Sequence, residues 1–145
     1  MEVISSTSGQ LTELVSELGT AGMERSPAPG KWNTRLILCH LADVELVFAL
    51  RLRQSVAEPH HAIQPFDQDT WAKNYSAYDP LMALAVFCTT RKWNLAFLET
   101  VSASDHGKML THPERGTMTF RALLETIAGH DLNHLSQIET IAGKG

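Results

Sequence analysis

Apolar residues recur at intervals of three and four positions in four long segments of this chain, and this spacing constrains the fold more than any other feature. It is the periodicity of helices that bury one face. The clearest case is the second segment, where the apolar positions are Ile37, Leu41, Val44, Phe48 and Leu52. We find no convincing set of strand patterns, so the sequence predicts an all-α fold.

Capping residues and helix breakers set the expected helix boundaries. Asn, Asp and Thr favour the N-cap position, and proline suits the first helical turn. The predicted helices cover about residues 3–23, a second segment from the cap Asn33 to before Pro59, a third that starts at Asp79-Pro80, and a fourth over about residues 119–141.

Two long connections, one on each side of the third helix, shape the expected topology. Four helices joined in this way predict a four-helix bundle that is not simply up-down-up-down, in one domain over residues 1–145. Asp67 or Asp69 is expected to cap a short helical turn in the first connection. Long connections often cover functional sites, so we look for chemistry beneath them.

Charge and cysteine content exclude several classes of function. The formal net charge is −4 without a block of Lys or Arg, which argues against nucleic-acid binding. No apolar run approaches the roughly 20 residues that span a bilayer, and the N-terminus does not resemble a signal peptide. Cys39 and Cys88 cannot form a disulfide framework and fit helical core positions, which favours a cytoplasmic location.

Three histidines stand where the helix pattern favours core-facing residues. His130 and His134 are spaced i, i+4, so both can reach one metal ion from a single helix face. His40 lies beside the apolar stripe of the second helix and could complete the site. Three protein ligands with open positions are typical of a catalytic metal site. From spacing alone, ordinary buried histidines remain an equal alternative.

Other candidate residues are close to these histidines in sequence or lie in the long connections. Asp43 and Asp131 could accept a hydrogen bond from a metal-bound imidazole. Asp131 could instead pair with an arginine such as Arg51 or Arg53, or form a helix-surface salt bridge. Asp43, His61 and His112 are the candidates for a general base, because the two loop histidines could fold over the metal site. All six residues are candidates because of their positions in the sequence.

Aromatic residues are expected in the core by default. Phe66 and Trp71 could instead line a pocket, because they lie in the first long connection. Trp93 of the third helix is among the aromatic residues expected in the core. The apolar positions of that helix are Leu81, Leu84, Ala85, Cys88, Trp93, Leu95 and Leu98.

Two of these segments, taken together, resemble the DinB/YfiT-like superfamily of metal-dependent enzymes. They are Cys39-His40-Leu41-Ala42-Asp43-Val44-Glu45 and, much later, Gly129-His130-Asp131-Leu132-Asn133-His134. The resemblance covers about residues 27–139 and implies a four-helix bundle with one divalent ion, such as zinc, nickel, iron or manganese. It assigns the ion to His40, His130 and His134.

The resemblance also sets the functional expectation. Related families include S-transferases that use bacillithiol or mycothiol, so a low-molecular-weight thiol is a candidate co-substrate. We therefore expect a metal-dependent transferase or hydrolase that acts on a small molecule. A metal- or ligand-binding module without turnover and a plain helical interaction protein are the alternatives. Exposed apolar helix faces would make a homodimer plausible.

Overall fold

A computed structural model describes residues 1–58 and 60–144 of the chain. Its helices and strands are α1 (Glu2–Met23), α2 (Thr34–Ala57), α3 (Gln68–Ala72), α4 (Pro80–Leu98), β1 (Met109–His112), β2 (Gly116–Thr119) and α5 (Phe120–Ile141). Short 3-10 turns lie at Tyr75–Ala77 and Ala103–Gly107. The predicted all-α class is confirmed, and the four long helices match their expected positions.

The helix N-termini form at the predicted capping residues. Asn33, Asp79 and Thr119 each accept a hydrogen bond from a backbone N–H two or three positions later, at the start of α2, α4 and α5. At the start of α3, Asp67 accepts a hydrogen bond from the amide of Thr70, so Asp67 and not Asp69 caps this helix. Each of these bonds satisfies one amide of the first turn that has no partner within the helix.

The order of the helices around the bundle is not the simple one. α2 packs most extensively on α4, and α1 on α5, while α2 also contacts α5 and α1 contacts α4. α1 and α2 follow each other in the chain but touch only slightly. In an up-down-up-down bundle consecutive helices are neighbours, so the prediction of a different topology is confirmed.

A β-hairpin in the second connection was not predicted. β1 and β2 pair antiparallel, with Leu110 opposite Met118. The first connection joins this hairpin, because the amide of Ile63 donates to the carbonyl of Thr111 over 2.8 Å. The strands are four residues long and Leu110 is the one buried position in them, so they carry too little alternation to be recognised.

The core consists of two apolar clusters that are separated by buried polar side chains. One cluster combines the first half of α2 with the last part of α5, and the other combines the later part of α2 with the beginning of α5. Between them lie Thr7 of α1, Glu45 of α2, Arg91 and Asn94 of α4, and Asp131 of α5, each at most 2% exposed. We call these five residues the polar layer.

The apolar positions of α4 divide between the core and the surface, and the assignment of Trp93 to the core is wrong. Leu84, Cys88, Leu95 and Leu98 pack against the core. Trp93 is 67% exposed and Leu81 53%, whereas the buried side of the helix includes Phe87 and the polar residues Arg91 and Asn94. Trp93 was assigned to the core because the charged and amide side chains of Arg91 and Asn94, which occupy the buried face beside it, are not expected there. Exposed Trp93 is compatible with a homodimer, which remains a prediction. No helix in the described part of the chain has the length and apolarity needed to cross a bilayer.

Candidate metal centre

The structure brings the three predicted histidines together. His40 comes from α2, and His130 and His134 come from α5, and one ring nitrogen from each lies within 4.8 Å of the others. The Nε2 atoms of His40 and His130 are 3.0 Å apart. His40 and His134 are buried, and His130 is partly exposed. The cluster therefore has one side that small molecules can approach.

Aromatic side chains surround the cluster. The ring of Trp32 is centred 5.3 Å from that of His40, and the ring of Phe48 lies edge-on to His130 at 5.8 Å. Trp32 precedes the N-cap Asn33, so the start of α2 fixes where its ring can lie. These contacts limit the rotation of the imidazoles and surround them with apolar surface.

Burial favours the neutral form of all three imidazoles. It is the largest cause that lowers the pKa of His40 to about 4 and that of His130 to about 3, and neighbouring His134 lowers both further. Burial also lowers the pKa of His134, although its bond to Gln137 and the charge of Asp131 act in the opposite direction. Neutral imidazole is the form that binds metal ions.

The donor set fits a divalent ion. Nδ1 of His134 lies 3.0 Å from Oε1 of Gln137 and donates to it, so its Nε2 presents a lone pair to the cluster. Two nitrogens that are each about 2 Å from one ion are themselves about 3 Å apart, which is the separation between His40 and His130. A hydrogen bond between two neutral rings would have the same length. It would leave the lone pair of His134 without a partner in the cluster.

Asp131 pairs with an arginine, which is one of the alternatives considered for it, but that arginine is Arg91. Its carboxylate accepts hydrogen bonds from the guanidinium of Arg91 and from the hydroxyl of Thr7, with Thr7 Oγ1 at 2.9 Å. The predicted bond to a ligand histidine is absent within the described residues. Neither Arg51 nor Arg53 is its partner, and the ion pair is buried, not on the helix surface as one alternative had it.

Arg91 connects all four long helices through the polar layer. Besides Asp131 of α5, its guanidinium binds Glu45 of α2 at 2.7 and 2.9 Å and the carbonyl of Ile4 in α1 at 2.9 Å. Burial alone would lower the pKa of Arg91, but the hydrogen bonds to Glu45 and Asp131 outweigh it and raise the pKa. The layer thus holds two carboxylates and one guanidinium directly beside the histidine cluster.

Asp43 also binds something other than a histidine. Its carboxylate accepts a hydrogen bond of 2.9 Å from the hydroxyl of Tyr75, and burial together with this bond raises the pKa of Tyr75. The Tyr75 ring lies edge-on to Trp32 at 6.4 Å, and Trp32 contacts His40. Asp43 therefore supports the wall around the site through Tyr75.

Two cavities meet at the histidine cluster. The first has a volume of about 790 Å³ and includes Trp32, His134 and Gln137 in its lining. The second, of about 460 Å³, includes His40, and His130 lines both. Both volumes are in the range of small-molecule sites.

The remaining candidates divide between the cavities and the surface. Phe66 and His112 line the second cavity. Trp71 stacks on Phe66 with ring centres 4.7 Å apart, is 40% exposed, and does not line either cavity. Asp43 and His61 are likewise not among the lining residues, and Nδ1 of His61 lies 3.0 Å from a carboxylate oxygen of Glu58.

Sequence reasoning missed Gln137 and Arg91. Gln137 stands three positions after His134 on the same helix face, so its spacing could have suggested the contact. Arg91 gave no such signal, because its partners Glu45 and Asp131 are 46 and 40 positions away.

Almost the whole chain is similar to members of one protein family. The model of the DinB superfamily matches residues 4–138. A protein of Oceanobacillus iheyensis, named "Putative metal-dependent hydrolase", is 26% identical over 132 residues, which are 90% of this chain and 77% of that protein. YfiT of Bacillus subtilis, which carries the same descriptive name, is 23% identical over 98% of this chain and 82% of its own length.

The solved structure of Bacillus subtilis YfiT has the same fold. It superposes with a TM-score of 0.90 over 99% of this chain and 83% of the solved one, at 23% identity, and is described as having an unusual four-helix bundle topology. The family model covers far more than half of the chain. The chain therefore belongs to the DinB superfamily.

Proposed function

We propose that His40, His130 and His134 hold one divalent metal ion and that the protein is a metal-dependent hydrolase of a small molecule. The observation that carries the proposal is the convergence of three imidazoles from two helices at the junction of two cavities. Both relatives carry the descriptive name "Putative metal-dependent hydrolase", which supports the same reading.

The protein residues around the site have separable tasks. Gln137 fixes the tautomer of His134 through Nδ1, and Trp32 packs against His40. Three protein ligands leave positions free for water and substrate. When bound, a divalent ion lowers the pKa of a coordinated water or thiol so that a nucleophile exists at neutral pH. A low-molecular-weight thiol in place of water would give an S-transferase, so the assay below includes thiols.

His112 is our candidate for a group that donates a hydrogen bond to the substrate. It lines the second cavity together with His40 and His130. Burial, followed by the charges of Arg115 and Arg51, lowers its pKa. Nδ1 of the ring accepts a hydrogen bond from the amide of Glu114 over 3.1 Å, so the neutral ring carries its proton on Nε2, which can donate to a substrate oxygen. As candidates for a general base, Asp43 is likewise engaged by Tyr75 and His61 by Glu58.

Metal content tests the site directly. We expect about one equivalent of zinc, nickel, iron or manganese in the wild-type protein and less than about one tenth of that in His130→Ala and His134→Ala. His106→Ala, in the short turn Ala103–Gly107, is the matched control and should retain the metal. Circular dichroism verifies that the variants fold. Equal metal content in all four proteins would contradict the site.

Turnover separates an enzyme from a binding module. The metal-loaded protein is assayed with activated esters and amides, and with a chlorinated electrophile plus a panel of low-molecular-weight thiols. Hydrolysis that disappears in His130→Ala supports the proposal. Consumption of thiol without hydrolysis would identify a transferase, and binding of metal without any turnover would identify a module.

A further inference from the structure

The second cavity runs along one side of α2, with a histidine at one end and an arginine at the other. His40, Val44, Phe48 and Arg51 all line it. They are spaced four, four and three positions apart, which places them on one helix face. Eleven residues of helix rise by roughly 16 Å, so Arg51 lies about three turns away from the histidine cluster. The cavity wall between the two ends is apolar.

The opposite wall of the cavity has the same order, with a histidine at one end, apolar side chains between and an arginine at the other end. On α5, His130 lies at the histidine end and Leu123 two turns before it, and both line the cavity. The hairpin contributes His112, Met118 and, from its turn, Arg115. Thus α2 and the hairpin place two guanidinium groups around the end of the cavity that is remote from His40.

These two arginines have no carboxylate partner in the described part of the chain. The guanidinium of Arg51 donates to the carbonyl of Gln64 over 3.0 Å and lies 5.7 Å from the centre of the Phe66 ring. In contrast, Arg35, Arg91 and Arg121 each form a salt bridge.

The residues that line the cavity include no Asp or Glu, although the chain as a whole has a net charge of −4. Two cations without counterions at the mouth of an apolar cavity attract an anion, and guanidinium groups match the oxygens of carboxylate and phosphate. Burial is the main cause of the lowered pKa of His112. Arg115 and Arg51 lower it further, while Glu114 acts in the opposite direction, so both guanidinium groups lie near this part of the cavity.

We propose that the second cavity binds an amphipathic anion, whose carboxylate or phosphate group contacts Arg51 and Arg115 and whose apolar body lies against Val44, Phe48 and Leu123. The other end of the molecule then reaches His40 and His130. As a statement about the substrate of the hydrolase, this inference rests on the proposed function. As a statement about binding, it does not require the metal.

The test compares anionic and neutral ligands of the same shape by isothermal titration calorimetry. The probes are 4-phenylbutyrate, 3-phenylpropylphosphonate and the neutral 4-phenylbutyramide, with the zinc-loaded protein. We expect at least one of the two anions to bind about tenfold or more tightly than the amide, because a charged hydrogen bond to guanidinium is stronger than a neutral one. The ratio between the two anions identifies the preferred head group.

Arginine variants locate the effect. In Arg115→Met and Arg51→Met the preference for the anion should fall to about threefold or less, while Arg115→Lys should keep most of it. Arg121→Met removes the same charge from an exposed site on α5 and should keep the full preference. Arg115 is exposed at a turn, so its variants are expected to fold even if Arg51→Met does not.

The same titrations in chelator-treated protein separate this inference from the proposed function. A preference for anions that depends on the arginines and persists without zinc supports the inference, even if the histidines prove not to bind metal. Equal affinity for anions and amide in the wild type would overturn it. So would a preference that Arg115→Met and Arg51→Met leave unchanged, since the anion would then bind elsewhere, for instance on the zinc.

Discussion

Nε2 of His40 lies 3.0 Å from Nε2 of His130, although the two residues are 90 positions apart on different helices. This proximity depends on how α2 and α5 pack, because the two rings belong to different helices and meet only where these helices are in contact. The histidine pair on α5 is local in sequence, whereas the third histidine is supplied entirely by tertiary structure. The predictions below therefore address both the local contacts of the rings and the packing that aligns the helices.

Replacement of Gln137 by Leu should weaken metal binding about 10- to 100-fold, because His134 loses the acceptor that fixes its tautomer and orientation. The measurement is a competition titration against a chromophoric chelator. Asn133→Leu changes an exposed amide in the same cavity and serves as the control, with affinity close to the wild type. A Gln137→Leu protein that binds as tightly as the control would contradict a role for this contact.

Replacement of Arg91 by Met should destabilise the protein by about 3–5 kcal/mol, because Glu45 and Asp131 would remain buried without a counterion. Urea denaturation followed by circular dichroism gives the free energy of unfolding. Arg121→Met breaks a salt bridge whose partners are 75% and 66% exposed, and should cost less than about 1 kcal/mol. A similar loss in both variants would argue that the buried network adds little.

The metal-free protein should lose stability as the pH falls from about 6.5 towards 4. In this range the unfolded chain protonates His40 and His130, whose usual pKa is 6.5, while the folded protein keeps them neutral because burial lowers their pKa to about 4 and about 3. The unfolded state then binds more protons, so the free energy of unfolding decreases with decreasing pH.

Thermal melts in the presence of a chelator, at pH values between 7 and 5, measure this slope. The double variant His40→Gln, His130→Gln lacks both titrating rings, so its melting temperature should vary less over the same interval. Carboxylates titrate mainly below this range and affect both proteins alike. Parallel slopes for the two proteins would show that these rings are not buried as neutral imidazoles.

Replacement of Asn33 by Ala should destabilise the protein by about 1 kcal/mol, because the amide of Leu36 loses its cap. Asn74 precedes a 3-10 turn without a side-chain capping bond and provides the control, with a change of less than about 0.5 kcal/mol. Urea denaturation measures both. The effect on α2 matters for the site, because Trp32 and His40 lie on either side of this cap. Equal stability of the two variants would contradict the capping role.

The helices were predictable because their signals are local. Apolar spacing and the caps Asn33, Asp79 and Thr119 act within a few residues, and the structure forms its helices at these positions. The pairing of His130 with His134 is equally local. His40 was placed on a core-facing row, and its meeting with the other two histidines required the helices to pack in one particular order.

The polar layer could not be predicted, because its contacts are between residues that are far apart in the sequence. Arg91 is a charged residue on a buried helix face, and it is stable there only because Glu45 and Asp131 arrive from other helices. A sequence pattern registers such a residue as exposed, which is why Trp93 was assigned to the core in error. The hairpin was not predicted for a related reason. Its strand β1 also hydrogen-bonds to the segment around Ile63, which lies in the other long connection.

The bonds of Arg91 also determine how far one helix can slide along another. Apolar contacts are not directional, whereas the guanidinium of Arg91 has directional hydrogen bonds to α1, α2 and α5. A shift of one helical turn, about 5.4 Å, would break these bonds. The hydrogen bonds of Arg91 therefore fix the positions of the helices along the axis of the bundle. Glu45 is five positions after His40, and Asp131 directly follows His130. The same hydrogen bonds therefore also keep the two histidines at the same level along the axis of the bundle.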